Sequence, residues 1–478
     1  MIRTALVLLA LLSASPAPAQ ETLQQRVEAR LKEAGPGVRF GLVVTDTEGK
    51  ELIAVSSDDR FIPASNTKMF PTAAAFATMA GLDQPDVAGG AAVRIEDGDV
   101  ILTGHGDARL SSAPDCAANC LAALADAVAA RTRKVRDVVG DDSLFPDQRW
   151  SPGMSWNNIP SRYGTATSAL TLDDNELTLF VSPTRIGAAP KVDFPLAYYT
   201  VENRAVTVAE GKTSLDFDRA PNGFVLRLTG TIAMGAAPEP LRPAIDDPAH
   251  YAAWRMKALL EARGVRVTGR IAARHRPATA ADDPEKRGAT PPARPPQQEI
   301  LARLTPPPLA ADISHINKVS QNLHAELLLR RVGLQAGTGS IADGVAAIRA
   351  MLERAGVPRT AYDFSDGSGM STYNRVAPRG MVIFLRWIAA QPWGAAWRET
   401  LPIGGVDGTL SKRFRGTPLE RNLFAKTGTL NATNALSGYM TAKSGRTLIF
   451  SAYANDVPQD KGATATMDAA LELIAAEN

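Results

Sequence analysis

The sequence has little that would support a metal site, a nucleic-acid interface or a membrane span. Its 478 residues include two cysteines and five histidines, which form no His-Glu-x-x-His motif and no Cys/His cluster, so no catalytic metal is expected. The 52 basic and 50 acidic residues give a net charge of +2 and are mixed along the chain. No basic tract indicates nucleic acid or an anionic membrane. We therefore predict no metal, no cofactor and no nucleic-acid partner.

The N-terminus has the three regions of a secretory signal peptide. Arg3 supplies the positive start, Ala5–Leu12 the apolar run, and Ala17-Pro18-Ala19 the small-residue cleavage site. The apolar run is too short to span a bilayer, and no later run is long enough. The sequence therefore predicts removal of residues 1–19, a periplasmic location for the remaining chain and no transmembrane anchor.

The two cysteines, Cys116 and Cys120, lie close together in the chain. In an oxidising compartment such a pair can form a disulfide that closes a small loop, and the preceding Pro114-Asp115 favours a loop at this point. A reduced pair one helical turn apart is the alternative. The spacing fits no zinc site, because two further ligands are missing.

One stretch indicates nucleophilic catalysis. Ser65-Asn66-Thr67-Lys68 is the one Ser-x-x-Lys in the chain, and a serine hydroxyl needs a base within hydrogen-bond reach to become a nucleophile. If a helix begins at Ser65, Lys68 lies one turn further on the same face, and the free N–H groups of the helix start favour an oxyanion. The tetrad alone also fits an N-capping serine followed by a solvated lysine.

Two later motifs favour the catalytic reading. Ser320-Gln321-Asn322 and Lys426-Thr427-Gly428 follow in the order known for penicillin-binding proteins and class A β-lactamases. Two similar tripeptides fit less well. Ser155-Trp156-Asn157 lies in a Trp- and Pro-rich stretch, and Lys443-Ser444-Gly445 lies in a predicted hairpin turn, whereas Lys426 lies on a predicted strand.

The first part of the chain predicts a hairpin, a helix and then a long extended region. Val38–Thr45 and Glu51–Ser56 have the composition of two paired strands. The helix at Ser65 continues through Thr72–Met79, with Pro71 removing one backbone hydrogen bond and introducing a kink. From about residue 88 to residue 275, short β-like runs alternate with turns, and one helix is predicted at Ala117–Ala130.

The second part of the chain is helical before it becomes extended. Residues 276–297 are polar and proline-rich, which predicts a solvated linker. Apolar periodicity then predicts helices and strands. The helices are Ala310–Lys318, Asn322–Val332, Ile341–Ala355, Pro378–Ala390 and Met467–Ala476, and the strands are Asn422–Leu430, Ala435–Met440 and Thr447–Tyr453.

This order predicts a split α/β (α+β) domain. Residues 20–87 and 298–478 would form one antiparallel five-stranded sheet flanked by helices, because the first hairpin can pair with the last three strands. A large, mainly β insertion at residues 88–275, with two nested domains as one possibility, would interrupt it. The linker at residues 276–297 would lead back into the sheet domain.

The chain resembles the low-molecular-mass class C penicillin-binding proteins, the D-alanyl-D-alanine carboxypeptidase/endopeptidase family, from about Gln24 to the C-terminus. Gln321 departs from the family pattern, which often has Asp there. The matching motifs are Phe61-x-Pro-Ala-Ser65, Leu102-Thr103-Gly104-x-Gly106-Asp107, Asp141-Asp142-Ser143-Leu144-Phe145, Asn317-Lys318-x-Ser320-x-Asn322, Asp366-Gly367-Ser368-Gly369, Asp407-Gly408-Thr409-Leu410 and Ala425-Lys426-Thr427-Gly428-Thr429-Leu430.

The resemblance implies a penicillin-binding transpeptidase-like fold and a catalytic role for four residues. Ser65 would be the nucleophile that forms an acyl-enzyme, and Lys68 would take its proton. We expect burial and the charge of Lys426 to lower the pKa of Lys68. Ser320 would relay a proton between Lys68 and the leaving amine, and Asn322 would bind the substrate amide and orient Lys68.

The same resemblance implies a substrate-binding strand. Lys426 and Thr427 would bind the terminal carboxylate of the substrate. Gly428 would let the substrate backbone approach closely, and the N–H groups of Ser65 and Thr429 would form the oxyanion hole. The implied substrates are peptidoglycan stem peptides, and the implied inhibitors are β-lactams.

Two alternatives stay open on the sequence. One is a serine β-lactamase or esterase, against which the long insertion and the lack of a Glu-x-x-Leu-Asn element both count. The other is a non-catalytic periplasmic scaffold that binds peptidoglycan. The sequence leaves open the balance of carboxypeptidase and endopeptidase activity, the stem-peptide preference, the role of the insertion and the oligomeric state.

Overall fold

The structure is a computed structural model that describes residues 21–288, 290 and 298–478. The predicted signal peptide, residues 1–19, lies outside the described residues. So do residues 289 and 291–297 of the predicted linker. Among the described residues, no helix is both long and apolar enough to cross a bilayer.

The predicted helices are present, with ends that differ by a few residues. Four further helices, α1, α4, α5 and α10, were not predicted. The described residues form α1 Leu23–Lys32, α2 Met69–Thr78, α3 Leu121–Arg131, α4 Pro248–Ala262, α5 Pro284–Arg287, α6 Leu309–Val319, α7 Asn322–Leu334, α8 Ile341–Arg354, α9 Pro378–Ala389, α10 Gly394–Glu399 and α11 Thr464–Glu477.

The strands fall into one long-stranded sheet and several smaller sheets. They are β1 Arg39–Thr45, β2 Glu51–Val55, β3 Ala92–Glu96, β4 Asp99–Thr103, β5 Lys134–Val135, β6 Val138–Pro146, β7 Leu179–Ser182, β8 Lys191–Asp193, β9 Thr200–Asn203, β10 Val206–Val208, β11 Ser214–Asp218, β12 Val225–Ala233, β13 Glu239–Leu241, β14 Arg266–Val267, β15 Ile271–Arg276, β16 Ala302–Arg303, β17 Tyr362–Asp363, β18 Arg375–Val376, β19 Leu423–Leu430, β20 Thr433–Thr441 and β21 Thr447–Asn455.

The main sheet joins the two ends of the chain. Its order is β19-β20-β21-β1-β2, and all neighbours are antiparallel. β1 lies directly beside β21, with Arg39 opposite Asn455 and Thr45 opposite Ile449. The predicted antiparallel five-stranded sheet is therefore confirmed.

Helices cover both faces of this sheet because its strands alternate two apolar sets of side chains. Val43 and Ile449 face a core formed with α2, α6, α7, α8 and α9. Leu42 and Val44 face the other way, into a core that includes Val27 of α1 as well as apolar residues of α11. Residues 64–68, which hold the predicted nucleophile, lie on the first of these faces, between the sheet and the buried α2.

The region between the two halves of the sheet has its own hydrophobic core. Its largest sheet has the order β15-β6-β4-β3-β16, and smaller sheets are built on β12 and on β7. β16 at Ala302–Arg303 pairs with β3, so this sheet includes residues that follow the predicted linker. The division of the chain at residues 88, 275 and 298 remains a prediction.

The single helix predicted for the insertion is wrong at its start, because residues 116–120 form a loop and α3 begins only at Leu121. Cys116 and Cys120 are joined in a disulfide that closes this loop, as the sequence favoured. The second helix, α4, was missed. Its start is marked by an Asp247 side chain that caps the N-terminus and by Pro248 in the first turn, both of which are readable start signals.

The first half of the predicted linker differs from a solvated loop. Arg276 ends β15, and a single helical turn and α5 follow. Asp282 is buried and accepts hydrogen bonds from Arg276 and from the backbone N–H of Thr279. Arg287 pairs with Asp343 at 2.6 Å, which ties this segment to the start of α8.

Candidate active site

Ser65 and Lys68 lie on one 3-10 turn rather than on an α-helix. The turn covers Ala64–Lys68, and α2 begins at Met69. Because a 3-10 helix has three residues per turn, side chains three positions apart stand above one another. The Nζ of Lys68 lies 2.8 Å from the Oγ of Ser65, so the predicted nucleophile and base are in contact.

Pro71 lies in the first turn of α2, where the missing N–H of proline is tolerated. The helix continues to Thr78, and the change from 3-10 to α geometry falls just before the proline. Pro71 therefore does not interrupt α2, which runs without a break from Met69 to Thr78.

Lys68 is fully buried, and its amine contacts three oxygen atoms. These are Ser65 Oγ at 2.8 Å, Asn322 Oδ1 at 2.7 Å and the main-chain oxygen of Ser368 at 2.5 Å. The amide oxygen and the main-chain oxygen can only accept hydrogen bonds, whereas the serine hydroxyl can also donate.

Burial lowers the pKa of Lys68 to about 7, and the nearby charges of Asp366 and Glu326 oppose part of this effect. The sequence predicted that the charge of Lys426 also lowers the pKa of Lys68. This part of the prediction is wrong, because the repulsion between the two lysines lowers the pKa of Lys426 instead. Burial and the charge of Lys68 together hold the pKa of Lys426 well below its usual range. A lysine with a pKa near neutrality can accept a proton at physiological pH.

Ser320 and Asn322 lie at the sharp corner between α6 and α7. Ser320 has a φ of 65°, in the left-handed region that a non-glycine residue rarely adopts. Its Oγ accepts a hydrogen bond from Lys426 Nζ at 2.9 Å, so its hydrogen bond is to the second lysine rather than to Lys68 as the predicted relay implies. Gln321 caps α7 by accepting from Leu323 N.

The amide of Asn322 is oriented by the insertion. Its Nδ2 donates to the main-chain oxygen of Tyr163 at 2.9 Å. Since that oxygen can only accept, the amide must present its Oδ1 to Lys68. Tyr163 was missed by the sequence reading because it acts through its backbone, which leaves no signal in the identity of the side chain.

The Lys-Thr-Gly motif lies on β19, where successive side chains point to opposite faces. Lys426 is buried and faces the 3-10 turn Ala64–Lys68, called the nucleophile turn below. Its main-chain oxygen accepts a hydrogen bond from Asn66 Nδ2 at 2.7 Å. Thr427 is part-exposed, with its hydroxyl 2.7 Å from the hydroxyl of Thr409. Thr429 is exposed, on the side of the strand opposite Lys426.

Gly428 packs against the nucleophile turn. A Cβ at this position would lie 2.7 Å from the main-chain oxygen of Pro63 and 3.1 Å from Ser65 N. Close approach at this glycine is therefore made by the protein's own backbone.

The glycine-rich loop at residues 366–371 forms one wall of the site. Its Ser368 carbonyl contacts Lys68, and buried Asp366 holds the loop by accepting from Gly369 N and Ser371 N. The loop is also held by Glu326 of α7, which sequence reasoning missed. The available signal was its spacing of four residues from Asn322, which places both side chains on one helix face.

The two similar tripeptides lie elsewhere. Ser155 and Asn157 are exposed and contact each other at 2.5 Å, and Lys443 lies in the turn between β20 and β21. Within residues 21–288, 290 and 298–478, no group of three or more His, Cys, Asp or Glu side chains is arranged to hold a metal ion.

Comparison with known proteins places the whole arrangement in one family. The model of the D-Ala-D-Ala carboxypeptidase 3 (S13) family matches residues 23–478. A D-alanyl-D-alanine carboxypeptidase of Actinomadura sp. (strain R39) is 33% identical over 474 residues, which covers 93% of this chain and 84% of that protein. D-alanyl-D-alanine carboxypeptidase DacB of Haemophilus influenzae is 27% identical over 434 residues, which covers 88% of this chain and 86% of that protein.

The fold is also that of a solved structure. The crystal structure of penicillin binding protein 4 (dacB) from Haemophilus influenzae aligns with a TM-score of 0.78 and 23% identity, over 94% of this chain and 98% of that chain. The same protein in complex with a β-lactam aligns with a TM-score of 0.74. Since the family model extends over nearly all of the sequence, this chain belongs to the D-Ala-D-Ala carboxypeptidase 3 (S13) family, the low-molecular-mass class C penicillin-binding proteins.

Proposed function

We propose that this serine D-Ala-D-Ala carboxypeptidase acts on peptidoglycan stem peptides through an acyl-enzyme on Ser65. The observation that carries the proposal is the contact of 2.8 Å between Ser65 Oγ and a buried Lys68 whose pKa is about 7. A serine nucleophile needs a base that is neutral at the working pH, and Lys68 meets this requirement.

The first step is transfer of the Ser65 proton to Lys68. A neutral amine has two N–H groups and one lone pair. Asn322 Oδ1 and the Ser368 carbonyl accept the two N–H groups, which leaves the lone pair for the hydroxyl of Ser65. Ser65 Oγ then attacks the carbonyl carbon of the penultimate D-alanine.

The second lysine and Ser320 complete the proton transfer. A substrate carboxylate bound beside Lys426 favours the charged form of that lysine. When Lys68 gains its proton, its charge lowers the pKa of Lys426, and the proton of Lys426 passes through Ser320 to the leaving nitrogen. D-alanine departs with an amine that has gained this proton.

Deacylation reverses the roles of the two lysines. Water attacks the ester carbon, the proton of Lys68 returns to Ser65 Oγ as the ester bond breaks, and a proton from the water restores Lys426. The N–H groups of Ser65 and Thr429 stabilise the oxyanion in both steps. Thr427 and Thr409 offer hydroxyls to the substrate carboxylate beside Lys426.

Labelling with fluorescent penicillin tests this proposal. Residues 20–478 and the Ser65→Ala variant are incubated with the reagent and separated under denaturing conditions. Lasting label on the wild type and none on Ser65→Ala is the expected result, because a β-lactam mimics the D-alanyl-D-alanine end of the substrate. Release of D-alanine and cleavage of cross-linked peptides are then assayed on the same two proteins.

Other outcomes would favour other functions. If penicillin is consumed without lasting label, the protein is a serine β-lactamase or esterase. If neither protein labels and penicillin stays intact, the protein is a non-catalytic peptidoglycan-binding scaffold. Cleavage of cross-links without release of D-alanine would mark an endopeptidase.

A periplasmic location is part of the proposal. It is supported by the predicted signal peptide at residues 1–19 and by the disulfide between Cys116 and Cys120, which requires an oxidising compartment. Fractionation of cells that express the full chain tests it, since a periplasmic protein is released by osmotic shock in a form that lacks residues 1–19.

A further inference from the structure

Glu326 is a buried acid behind Lys68 that the proposed mechanism does not use. It lies on α7, four residues after Asn322, so both side chains lie on one face of the helix. A carboxyl group placed in the interior without partners would be strongly unfavourable. The partners of Glu326 therefore indicate what it does.

Those partners are in the loop that contacts Lys68. Glu326 Oε1 accepts from Gly367 N at 3.0 Å and from Ser368 N at 2.8 Å. Its Oε2 lies 3.5 Å from Ser151 Oγ and 3.8 Å from the guanidinium of Arg330. The two shortest contacts are both with the backbone of residues 367–368.

The neighbouring peptide is held from the loop itself. Asp366 Oδ1 accepts from Gly369 N at 2.9 Å. Because N–H and C=O of a trans peptide point in opposite directions, this contact turns the carbonyl of Ser368 towards Lys68. Glu326 anchors the loop to α7, and Asp366 sets the direction of the carbonyl.

We infer that Glu326 is a positioning residue for acylation: it holds the Gly367–Ser368 backbone so that the Ser368 carbonyl takes one N–H of Lys68 and leaves the lone pair of the amine for Ser65. This inference rests on the proposed function. α7 then positions both acceptors of Lys68: it carries Asn322, and it holds the Ser368 carbonyl in place through Glu326.

The inference does not depend on the charge of Glu326. Burial, and then the neighbouring Asp366, raise the pKa of Glu326, whereas Arg330 lowers it. Both the carboxylate and the carboxylic acid keep an oxygen that can accept from the two N–H groups. A neutral amide at this position would therefore preserve the contact.

Three substitutions separate position from charge. Glu326→Gln keeps the length and the accepting oxygen but has no charge. Glu326→Met has a similar length but no acceptor. Glu326→Asp keeps the charge but is one carbon shorter, so it cannot reach both N–H groups without a shift of the loop.

The rate of penicillin acylation is measured at several penicillin concentrations, which separates non-covalent binding from the acylation step. Glu326→Met is expected to lower the acylation rate constant by roughly tenfold or more, since a small misplacement of a reacting group can cost a hundredfold, with unchanged penicillin binding. Glu326→Gln is expected to stay within about threefold of the wild type, and Glu326→Asp to be slower than Glu326→Gln.

Leu327→Ala is the matched control. Leu327 is the next residue of α7 and packs with Phe145 and Leu323 in a small apolar cluster that includes no residue of the loop, so its loss weakens α7 without removing a hydrogen bond to residues 366–371. Its acylation rate constant is expected to equal that of the wild type.

Several results would overturn the inference. These are wild-type acylation by Glu326→Met, equal losses in Glu326→Gln and Glu326→Met, a faster Glu326→Asp than Glu326→Gln, or a loss in Leu327→Ala as large as that in Glu326→Met. If Glu326→Met does not fold, the comparison of Gln with Asp decides alone. Absence of label on the wild type would instead overturn the proposed function, so the two failures are distinguishable.

Discussion

The buried amine of Lys68 has a direct consequence for the pH dependence of acylation. With a pKa of about 7, Lys68 is mostly charged at pH 6 and mostly neutral at pH 8. Only the neutral form can take the proton of Ser65. We expect the acylation rate to rise with pH up to about pH 7, by about tenfold per pH unit on the acid side.

A pH series of penicillin acylation rates from pH 5 to pH 9 measures this effect. Lys68→Arg is the control, because a guanidinium stays charged throughout this range, and we expect it to remain unlabelled. A rate that does not change between pH 5 and pH 9 in the wild type would exclude Lys68 as the base.

Gly369 is a position where one added side-chain carbon would change the geometry of the site. Its φ is +87°, and a Cβ would overlap the main-chain oxygen of Ala64 and lie 3.0 Å from Ser65 N. Gly369→Ala must therefore push the loop and the nucleophile turn apart. We expect a loss of acylation of roughly a hundredfold, measured with fluorescent penicillin.

Gly445→Ala separates the clash from the backbone strain. Gly445 has a nearly identical φ of +86°, and nothing lies within 4 Å of the added Cβ. It should lose about 1 kcal/mol of stability and keep wild-type acylation. Equal acylation by the two variants would show that the contact of Gly369 with the nucleophile turn is unimportant.

At the scale of elements, α7 is joined to two other parts of the chain through His324. This buried side chain contacts Asp312 of α6 at 2.6 Å and Asp174 of the insertion at 2.9 Å. Burial lowers its pKa, but the two carboxylates outweigh that effect and raise it to about 10. The charged imidazole thus connects α6, α7 and the turn at residues 173–175.

This connection should weaken as the pH rises. A pKa that is higher in the folded chain than the unfolded value of about 6.5 contributes stability below pH 6.5, and that stability is lost as the pH approaches 10. We expect His324→Gln to lower the free energy of unfolding by about 3–5 kcal/mol at pH 6.5, since it leaves the buried carboxylate of Asp312 without its charged partner. The difference from the wild type should be much smaller at pH 10.

Urea unfolding of both proteins at pH 6.5 and pH 10 measures the two differences. His275, whose pKa is also raised to about 10, is present in both proteins, so its effect cancels. An equal difference at the two pH values would mean that His324 acts through packing alone.

Elements with a regular apolar pattern could be predicted from the sequence, and elements without one could not. The strands around Val43 and Ile449 alternate because each face meets a different core. The helix predicted from Ala117 starts only at Leu121, because residues 116–120 form the loop that the disulfide closes. α4 was missed, although buried Ala249, Met256 and Leu260 follow a helical period and Asp247-Pro248 marks its start.

The residues of the candidate site also fall into those that the sequence could predict and those that it could not. Ser65, Lys68, Ser320, Asn322 and Lys426 could be proposed from short motifs, since their chemistry depends on side-chain identity. The main-chain oxygens that contact Lys68 and Asn322 come from distant segments, and any residue type could supply them. The hydrogen bond from Lys426 to Ser320 could not be predicted either, because it depends on how two distant segments meet in the fold.

At the scale of the whole molecule, the core of the insertion meets the two cores of the sheet domain through a small shared cluster and polar contacts. The core of the insertion includes Leu226, which is fully buried, and one core of the sheet domain includes Leu471. The shared cluster has Phe145 and Ala169 on one side and Leu323 on the other. Separate cores predict that the insertion can unfold before the sheet domain.

Leu226→Ala tests this independence. We expect it to destabilise the insertion by about 2–5 kcal/mol and to leave acylation in the absence of denaturant unchanged. In urea, the variant should lose labelling at a lower urea concentration than the wild type. The reason is that unfolding of the insertion removes the Tyr163 carbonyl that orients Asn322. Penicillin labelling across a urea series measures both effects.

Leu471→Ala, at an equally buried position in the sheet domain, is the control. It should move the final unfolding transition instead of the first. If Leu226→Ala and Leu471→Ala shift one common transition by the same amount, the two cores unfold as a single unit.

The pairing of β1 with β21 also determines when the protein becomes active during its synthesis. The ribosome makes Ser65 and Lys68 early, but the strand that lies beside β1 ends at Asn455, and the carbonyl that binds Asn66 belongs to Lys426. A nascent chain therefore carries its nucleophile for most of translation without the strands that complete the site. Because the site is incomplete without these strands, the growing chain stays inert towards penicillin until its last strands have been made.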